Sequence, residues 1–221
     1  MRILGAIFDM DGTLLDSMHI WDTVAAEYLR SRGAVPRDEL HGILGHMTPG
    51  EAAAYINKEY FPAISADEIL LGIFDTVERM YRAVEPKPGV RELLERFRAA
   101  GIRMAVATLT DRPEVERTLG RLRLLGYFDA VLTCAEVGEP KTSPRIYEEA
   151  LAALGTPREA TPVFEDAYYA VRTAYDAGFP VVAVYDPSPE CAFSRASALA
   201  TVAVRDYRTV DWSALLGEEN A

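Results

Sequence analysis

Ile3-Leu4-Gly5-Ala6-Ile7-Phe8-Asp9-Met10-Asp11-Gly12-Thr13 is the stretch on which the reading of this chain turns. A short apolar run, compatible with β structure, stops abruptly at a cluster of acids and turn formers. Such a run, without polar alternation, predicts a strand buried on both faces that delivers Asp9 and Asp11 into a loop. Similar runs recur at 102–107, 130–133, 161–164 and 181–185, with a weaker sixth at 201–204. Helical patterns separate them at 90–100, 113–125, 144–154 and 167–177. Strands alternating with helices predict βαβ units and an α/β fold with a parallel sheet.

One interval breaks the alternation. Between about residue 17 and residue 83 the patterns are helical only, at 19–32, 38–44, 49–60 and 66–82. Gly33, Pro36, Pro62 and Gly72 are expected to punctuate or weaken them. The chain then returns through Glu85-Pro86-Lys87-Pro88-Gly89, which reads as a linker. The expected organisation is a catalytic core of residues 1–15 and 86–221, with a helical domain of residues 16–85 inserted as a lid after the first strand.

Composition bounds the function. The chain has 221 residues, 49% apolar and 26% charged, as in ordinary globular proteins. No apolar run approaches the roughly 18 residues that span a bilayer, and the N-terminal segment turns acidic too early for a signal peptide. Cys134 and Cys191 alone make neither a disulfide framework nor a four-ligand zinc site. A cytoplasmic protein, as a monomer or weak homodimer, is expected. The net charge of −11 argues against nucleic acid as a partner, because phosphate backbones are held by clustered Lys and Arg.

In open parallel sheets ligands bind beyond the carboxyl ends of the strands. After the first run stand Asp9, Asp11, Gly12 and Thr13; after the second, Thr108, Leu109, Thr110 and Asp111. Lys141 lies some way after the third, and Glu165 and Asp166 follow the fourth. So many carboxylates on one edge would repel one another, and a hard divalent cation held by oxygens offsets that repulsion. Mg²⁺ suits them best, sharing its coordination with a substrate phosphate. Thr108 and Lys141 supply the hydroxyl and the positive charge that a phosphoryl group needs.

The segment Phe8 to Ser17 resembles the first motif of the haloacid dehalogenase-like hydrolase superfamily, in its phosphatase and β-phosphoglucomutase-like branch. Val106-Ala107-Thr108 looks like the second motif, Lys141 with Pro144, Ile146 and Tyr147 like the third, and Val163 to Asp166 like the fourth. The resemblance implies a Rossmann-like parallel sheet core with an inserted all-helical cap domain. It also implies Asp9 as a nucleophile forming an aspartyl-phosphate, and Asp11 as general acid and base whose backbone carbonyl joins the metal shell. Asp166 would be a metal ligand with Glu165 beside it, and Thr108, Leu109 and Lys141 would hold the phosphoryl group. Members that cleave carbon–halogen bonds lack the second aspartate, so Asp11 argues for phosphoryl transfer.

The third motif usually reads Gly-Lys-Pro, whereas Glu139-Pro140-Lys141-Thr142-Ser143-Pro144 stands here; Lys141 keeps the register, with Lys87 a rival in the linker. Asp111 and Ser17 are expected at helix N-caps. Substrate choice is expected in the cap, at His46 and Thr48 in the loop 42–50 and at Trp21. The resembling sugar phosphomutases carry a histidine and a phosphate-clamping arginine where Trp21 and Thr48 stand. The expected activity is therefore Mg²⁺-dependent hydrolysis of a small phosphorylated metabolite, with a β-phosphoglucomutase-type phosphomutase as the alternative.

Overall fold

The computed structural model describes residues 2–44 and 47–210. It has two compact units: one contains residues up to Asp16 and from Glu85 onward, and the other contains Ser17–Val84. The first is an α/β Rossmann-like core and the second an inserted, all-helical cap domain.

Among the described residues the core holds six strands: β1 (Gly5–Phe8), β2 (Arg103–Thr108), β3 (Ala130–Thr133), β4 (Val163–Glu165), β5 (Val181–Val184) and β6 (Val202–Val204). All pair in parallel, in the order β3-β2-β1-β4-β5-β6. The chain builds outward from β1 on one side and then crosses to β4 on the other. That reversal opens a crevice between the carboxyl ends of β1 and β4, the place where open sheets take ligands. Register brings Phe8 level with Val106 and with Phe164, so Asp9 emerges beside Glu165.

Both faces of the central strands are dry. Phe8 stacks on Phe164 with ring centroids 4.4 Å apart and meets Phe97 at 6.1 Å. On the opposite face Ile7, Ala105, Val163 and Val181 join Ile146, Tyr147 and Leu154 in one buried cluster. Burial on two sides explains why these strands read as continuous apolar runs. Helices α5 (Val90–Ala99), α6 (Arg112–Arg121), α8 (Arg145–Leu154) and α9 (Tyr168–Asp176) stand where periodicity predicts them. Helix α6 stops four residues earlier than expected, as Arg123 turns into the left-handed region at φ 57°. Helices α7 (Cys134–Val137) and α10 (Phe193–Leu199) have no counterpart in the sequence pattern, being too short to show a period.

The cap domain contains α1 (Met18–Ser31), α2 (Leu40–Leu44), α3 (Pro49–Glu59) and α4 (Ala66–Tyr81). Its core gathers Tyr28, Leu29, Leu40, Ala53, Ile56 and Ile69. Gly72 sits inside α4, which runs unbroken through it along the helical pattern expected at 66–82. A Cβ there would lie 2.5 Å from the Tyr28 ring, so the glycine lets α1 and α4 approach closely.

Candidate active site

Asp9 leaves β1 one residue past Phe8, with its N–H donating to the Phe164 carbonyl at 3.0 Å. The following loop folds onto itself. The N–H groups of Leu14 and Leu15 both donate to the Met10 carbonyl at 2.9 Å, and Gly12 makes the turn at φ 80°. The turn leaves Thr13 fully buried, its hydroxyl donating to Asp166 Oδ1 at 3.3 Å. From the far end of the core unit, the Tyr207 hydroxyl donates to the Thr13 carbonyl at 3.2 Å.

Lys141 comes from the loop between α7 and α8 and is 2% exposed. Its ammonium donates to Asp9 Oδ1 and, at 2.6 Å, to Glu165 Oε1. The Tyr147 hydroxyl donates to the same Glu165 oxygen at 2.8 Å. One carboxylate oxygen from each of Asp9, Glu165 and Asp166 lies within 4.8 Å of the others, and all three residues are buried. Two oxygens in this cluster, Asp9 Oδ2 and Asp166 Oδ2, are buried without a hydrogen-bond partner among the described residues.

The charges follow from this geometry. Burial pushes the Asp9 carboxyl well above the usual range, with Glu165, Asp166 and Asp11 adding to the rise and Lys141 opposing it. Burial, then Glu165, pushes Asp166 up to about 7. For Lys141 burial would lower the pKa, but Asp9 and Glu165 overcome it and hold the ammonium charged. Three carboxylates against one ammonium leave two negative charges when all are ionised. Orphaned buried oxygens and an excess of two charges are what a divalent cation would satisfy, and oxygen donors of this kind suit Mg²⁺.

Asp11 is not part of this cluster. Its carboxylate accepts the Thr110 hydroxyl at 2.6 Å. The Thr110 N–H in turn donates to Thr108 Oγ1 at 3.0 Å, and Thr108 is buried. One turn after β2 therefore ties the expected phosphate hydroxyl to the expected acid–base residue.

A family model described as haloacid dehalogenase-like hydrolase matches residues 6–184. The chain belongs to that family. Among the relatives of this hydrolase, a phosphorylated carbohydrates phosphatase of Thermotoga maritima is 30% identical over 173 residues, or 78% of this chain and 80% of its own. Hexitol phosphatase B of Escherichia coli is 26% identical over 219 residues, 98% of each chain. A crystal structure of a candidate β-phosphoglucomutase from Thermotoga maritima superposes with a TM-score of 0.81 at 28% identity, covering 94% of this chain and 95% of that one. Hydrolases of this family generally use Mg²⁺, which fits the buried acidic cluster.

Other residues singled out from the sequence of this hydrolase have different surroundings. Lys87 does not join Lys141; it donates to Asp186 Oδ2 and to the Tyr185 carbonyl, each at 2.7 Å. Leu109 is half exposed. Asp111 and Ser17 occupy N-cap positions, but neither side chain makes the capping hydrogen bond expected of it. Thr48 does make one. Its hydroxyl accepts from the Glu51 N–H at 3.3 Å, and its own N–H and hydroxyl both donate to Glu51 Oε2 at 2.8 Å, a capping box. Trp21 is half exposed on α1, its ring edge-on to Tyr81 at 6.3 Å. His46 lies outside the described residues. Sequence pattern gives no sign of Tyr147 and Thr110 as partners of site carboxylates, because their pairings cross 18 and 99 residues of chain.

Proposed function

We propose that this hydrolase is a Mg²⁺-dependent phosphatase of small phosphorylated metabolites, sugar phosphates among them, working through an aspartyl-phosphate on Asp9. The observation that carries the proposal is the pair of orphaned oxygens on Asp9 and Asp166 beside the Lys141 ammonium. The phosphatase names of the relatives support the substrate class.

Asp9, Asp166 and Glu165, with the Asp11 carbonyl, would hold the cation. Bound there, it would offset repulsion between the carboxylates and the substrate phosphate and lower the pKa of Asp9. An ionised Asp9 oxygen attacks phosphorus, forming an O–P bond as the bond to the leaving alkoxide breaks. Asp11, protonated, gives its proton to that oxygen. A water then attacks the phosphorus of the aspartyl-phosphate, Asp11 takes the water's proton, and Asp9 is regenerated with inorganic phosphate released. Lys141 shares its protons between Asp9 and the phosphoryl oxygens, and the Thr108 hydroxyl donates to them as charge spreads. Thr110 holds the Asp11 carboxylate in one orientation.

The test is a panel of phosphorylated metabolites, including β-glucose 1-phosphate with a trace of its bisphosphate, assayed for free phosphate and for glucose 6-phosphate. Free phosphate from wild type, with kcat reduced by three or more orders of magnitude in Asp9→Asn, is expected. Near-wild-type turnover by Asp9→Asn would remove Asp9 as nucleophile. The second product is included because the Thermotoga maritima neighbour is described as a candidate mutase; glucose 6-phosphate without free phosphate would make this chain one.

A further inference from the structure

Two strands deliver acids to this edge of the sheet. β4 ends at Glu165 with Asp166 next in the chain, and beyond its neighbour β5, where Ala183 is level with Glu165, the chain runs on to Asp186. Asp186 is 2% exposed and takes no part in the chemistry proposed above. Its Oδ2 accepts from Lys87, its Oδ1 accepts the Ser188 N–H at 2.9 Å, and its own N–H donates to Cys191 Sγ at 3.3 Å. The pair is nearly dry, with the Lys87 side chain 12% exposed and that of Asp186 1%.

Lys87 reaches this position from the linker that returns from the cap domain. Its N–H donates to the Leu14 carbonyl at 2.9 Å, and Leu15 bridges to Pro86. The linker is thus tied on one side to the loop that carries Asp9 and Asp11. On the other side it is tied, through the ammonium, to the loop after β5. A buried ion pair seldom adds net stability over apolar residues of the same size, so its presence calls for another reason. Its position supplies one. The β4–β5 register carries the loop of Asp186 past the strand end where Asp166 stands, and the Lys87 N–H is tied to the loop of Asp9, so the pair borders the cluster and Asp166 feels its two charges in opposite senses.

We infer that Lys87 and Asp186 are a positioning pair whose balanced charges set the field at the Asp9–Glu165–Asp166 cluster and so its affinity for a divalent cation. The inference rests on the Mg²⁺ reading above and extends it to two residues outside the cluster. Intact, the pair is neutral, and the cluster's own two excess negative charges govern the cation. Removing Asp186 leaves an unbalanced ammonium close to the site, which repels Mg²⁺. Removing Lys87 leaves an unbalanced carboxylate, which attracts it. The two single substitutions therefore act in opposite directions, and the double substitution cancels them. A pair that merely braced the loops would weaken binding in both single variants and most of all in the double.

Mg²⁺ binding to the full chain is measured by isothermal titration calorimetry, at a pH well above 7 so that protons do not compete at Asp166. Asp186→Asn is expected to bind Mg²⁺ about tenfold more weakly than wild type, the lower end for outer-sphere partners of a metal site. Lys87→Met, which keeps the apolar stem, is expected to bind it more tightly. The double variant should return to within about threefold of wild type on the same scale. Thermal melts establish that each variant is folded. Should Lys87→Met not fold, the comparison of Asp186→Asn with the double variant decides, since the double loses every bond of the pair yet regains affinity only if charge is the cause. Weakening in both singles, or no recovery in the double, overturns the inference and leaves the metal reading standing. Absence of Mg²⁺ binding by wild type overturns both.

Discussion

Replacing Asp166 by Asn should stabilise the metal-free protein while destroying its response to Mg²⁺. The buried carboxyl titrates at about 7 in the fold, against 3.8 for the free group. Below 3.8 folded and unfolded chains are both protonated at this residue, and it costs nothing. Between 3.8 and about 7 the fold keeps a proton that the unfolded chain has released. Stability then falls by about 1.4 kcal/mol for each step of one in pH, and above 7 the loss levels off. Across that interval the penalty grows to the order of 4 kcal/mol, undiminished by solvent because the residue is only 2% exposed. Asn cannot ionise, so the penalty vanishes, and the push that Asp166 exerts on Asp9 vanishes with it. Against this, the new amide N–H₂ would occupy the position of the orphaned Oδ2 or swap with the oxygen that accepts from Thr13. An unsatisfied amide costs about 1–3 kcal/mol. A net gain of about 1–3 kcal/mol remains, or a Tm rise on the order of 5 °C for a chain of this length.

The assay is a set of thermal melts in chelator at mildly acidic and mildly alkaline pH, repeated in excess Mg²⁺. In chelator, wild type should melt lower as pH rises, and Asp166→Asn should do so less steeply, because the buried Asp9 carboxyl still titrates above its usual range. In Mg²⁺ at one hundred times its dissociation constant, wild type gains about 2.7 kcal/mol and the variant gains nothing, so the order of Tm values closes or reverses. A variant that melts below wild type in chelator at alkaline pH would refute the reasoning, as would a wild type whose Tm ignores pH. Either result would mean that the cluster relieves its charge by means other than protonation or a cation.

Tyr147→Phe removes the hydroxyl that donates to Glu165 at 2.8 Å and leaves that oxygen, among the described residues, to Lys141. A loss of about 1–2 kcal/mol in chemical denaturation is expected, with Mg²⁺ affinity reduced in calorimetry; unchanged values in both would make the contact incidental. Gly72→Ala places a methyl 2.5 Å from the Tyr28 ring and should destabilise the cap domain by about 1–3 kcal/mol, visible as faster amide hydrogen exchange in α1 and α4. Unchanged exchange there would mean that the helices separate freely.

The first strand, its acidic loop and the alternation of strands with helices are legible in the sequence, because burial of both faces writes an unbroken apolar run into each strand. The all-helical cap domain is legible as an interval of pure helical period between residues 17 and 83. Thr48, expected to contact substrate, closes a capping box with Glu51, which its Thr-x-x-Glu spacing signals but which is not among the sequence expectations. Local pattern reports which face of an element is buried, and caps report where it starts; both signals extend over a few residues.

The strand order lies beyond that range. Only the tertiary structure decides that β1 sits between β2 and β4, and with that order come the neighbours of every site carboxylate. Asp9 and Lys141 are 132 residues apart, and Lys87 and Asp186 are 99 apart. The sequence by itself determined which residues could carry the chemistry and that strand ends would present them. Which oxygens are taken by Lys141, Tyr147, Thr13 and Thr110, and which two are left without a partner, was decided by the fold alone. Long-range hydrogen bonds depend on how the sheet is assembled, and no local run of residues encodes that.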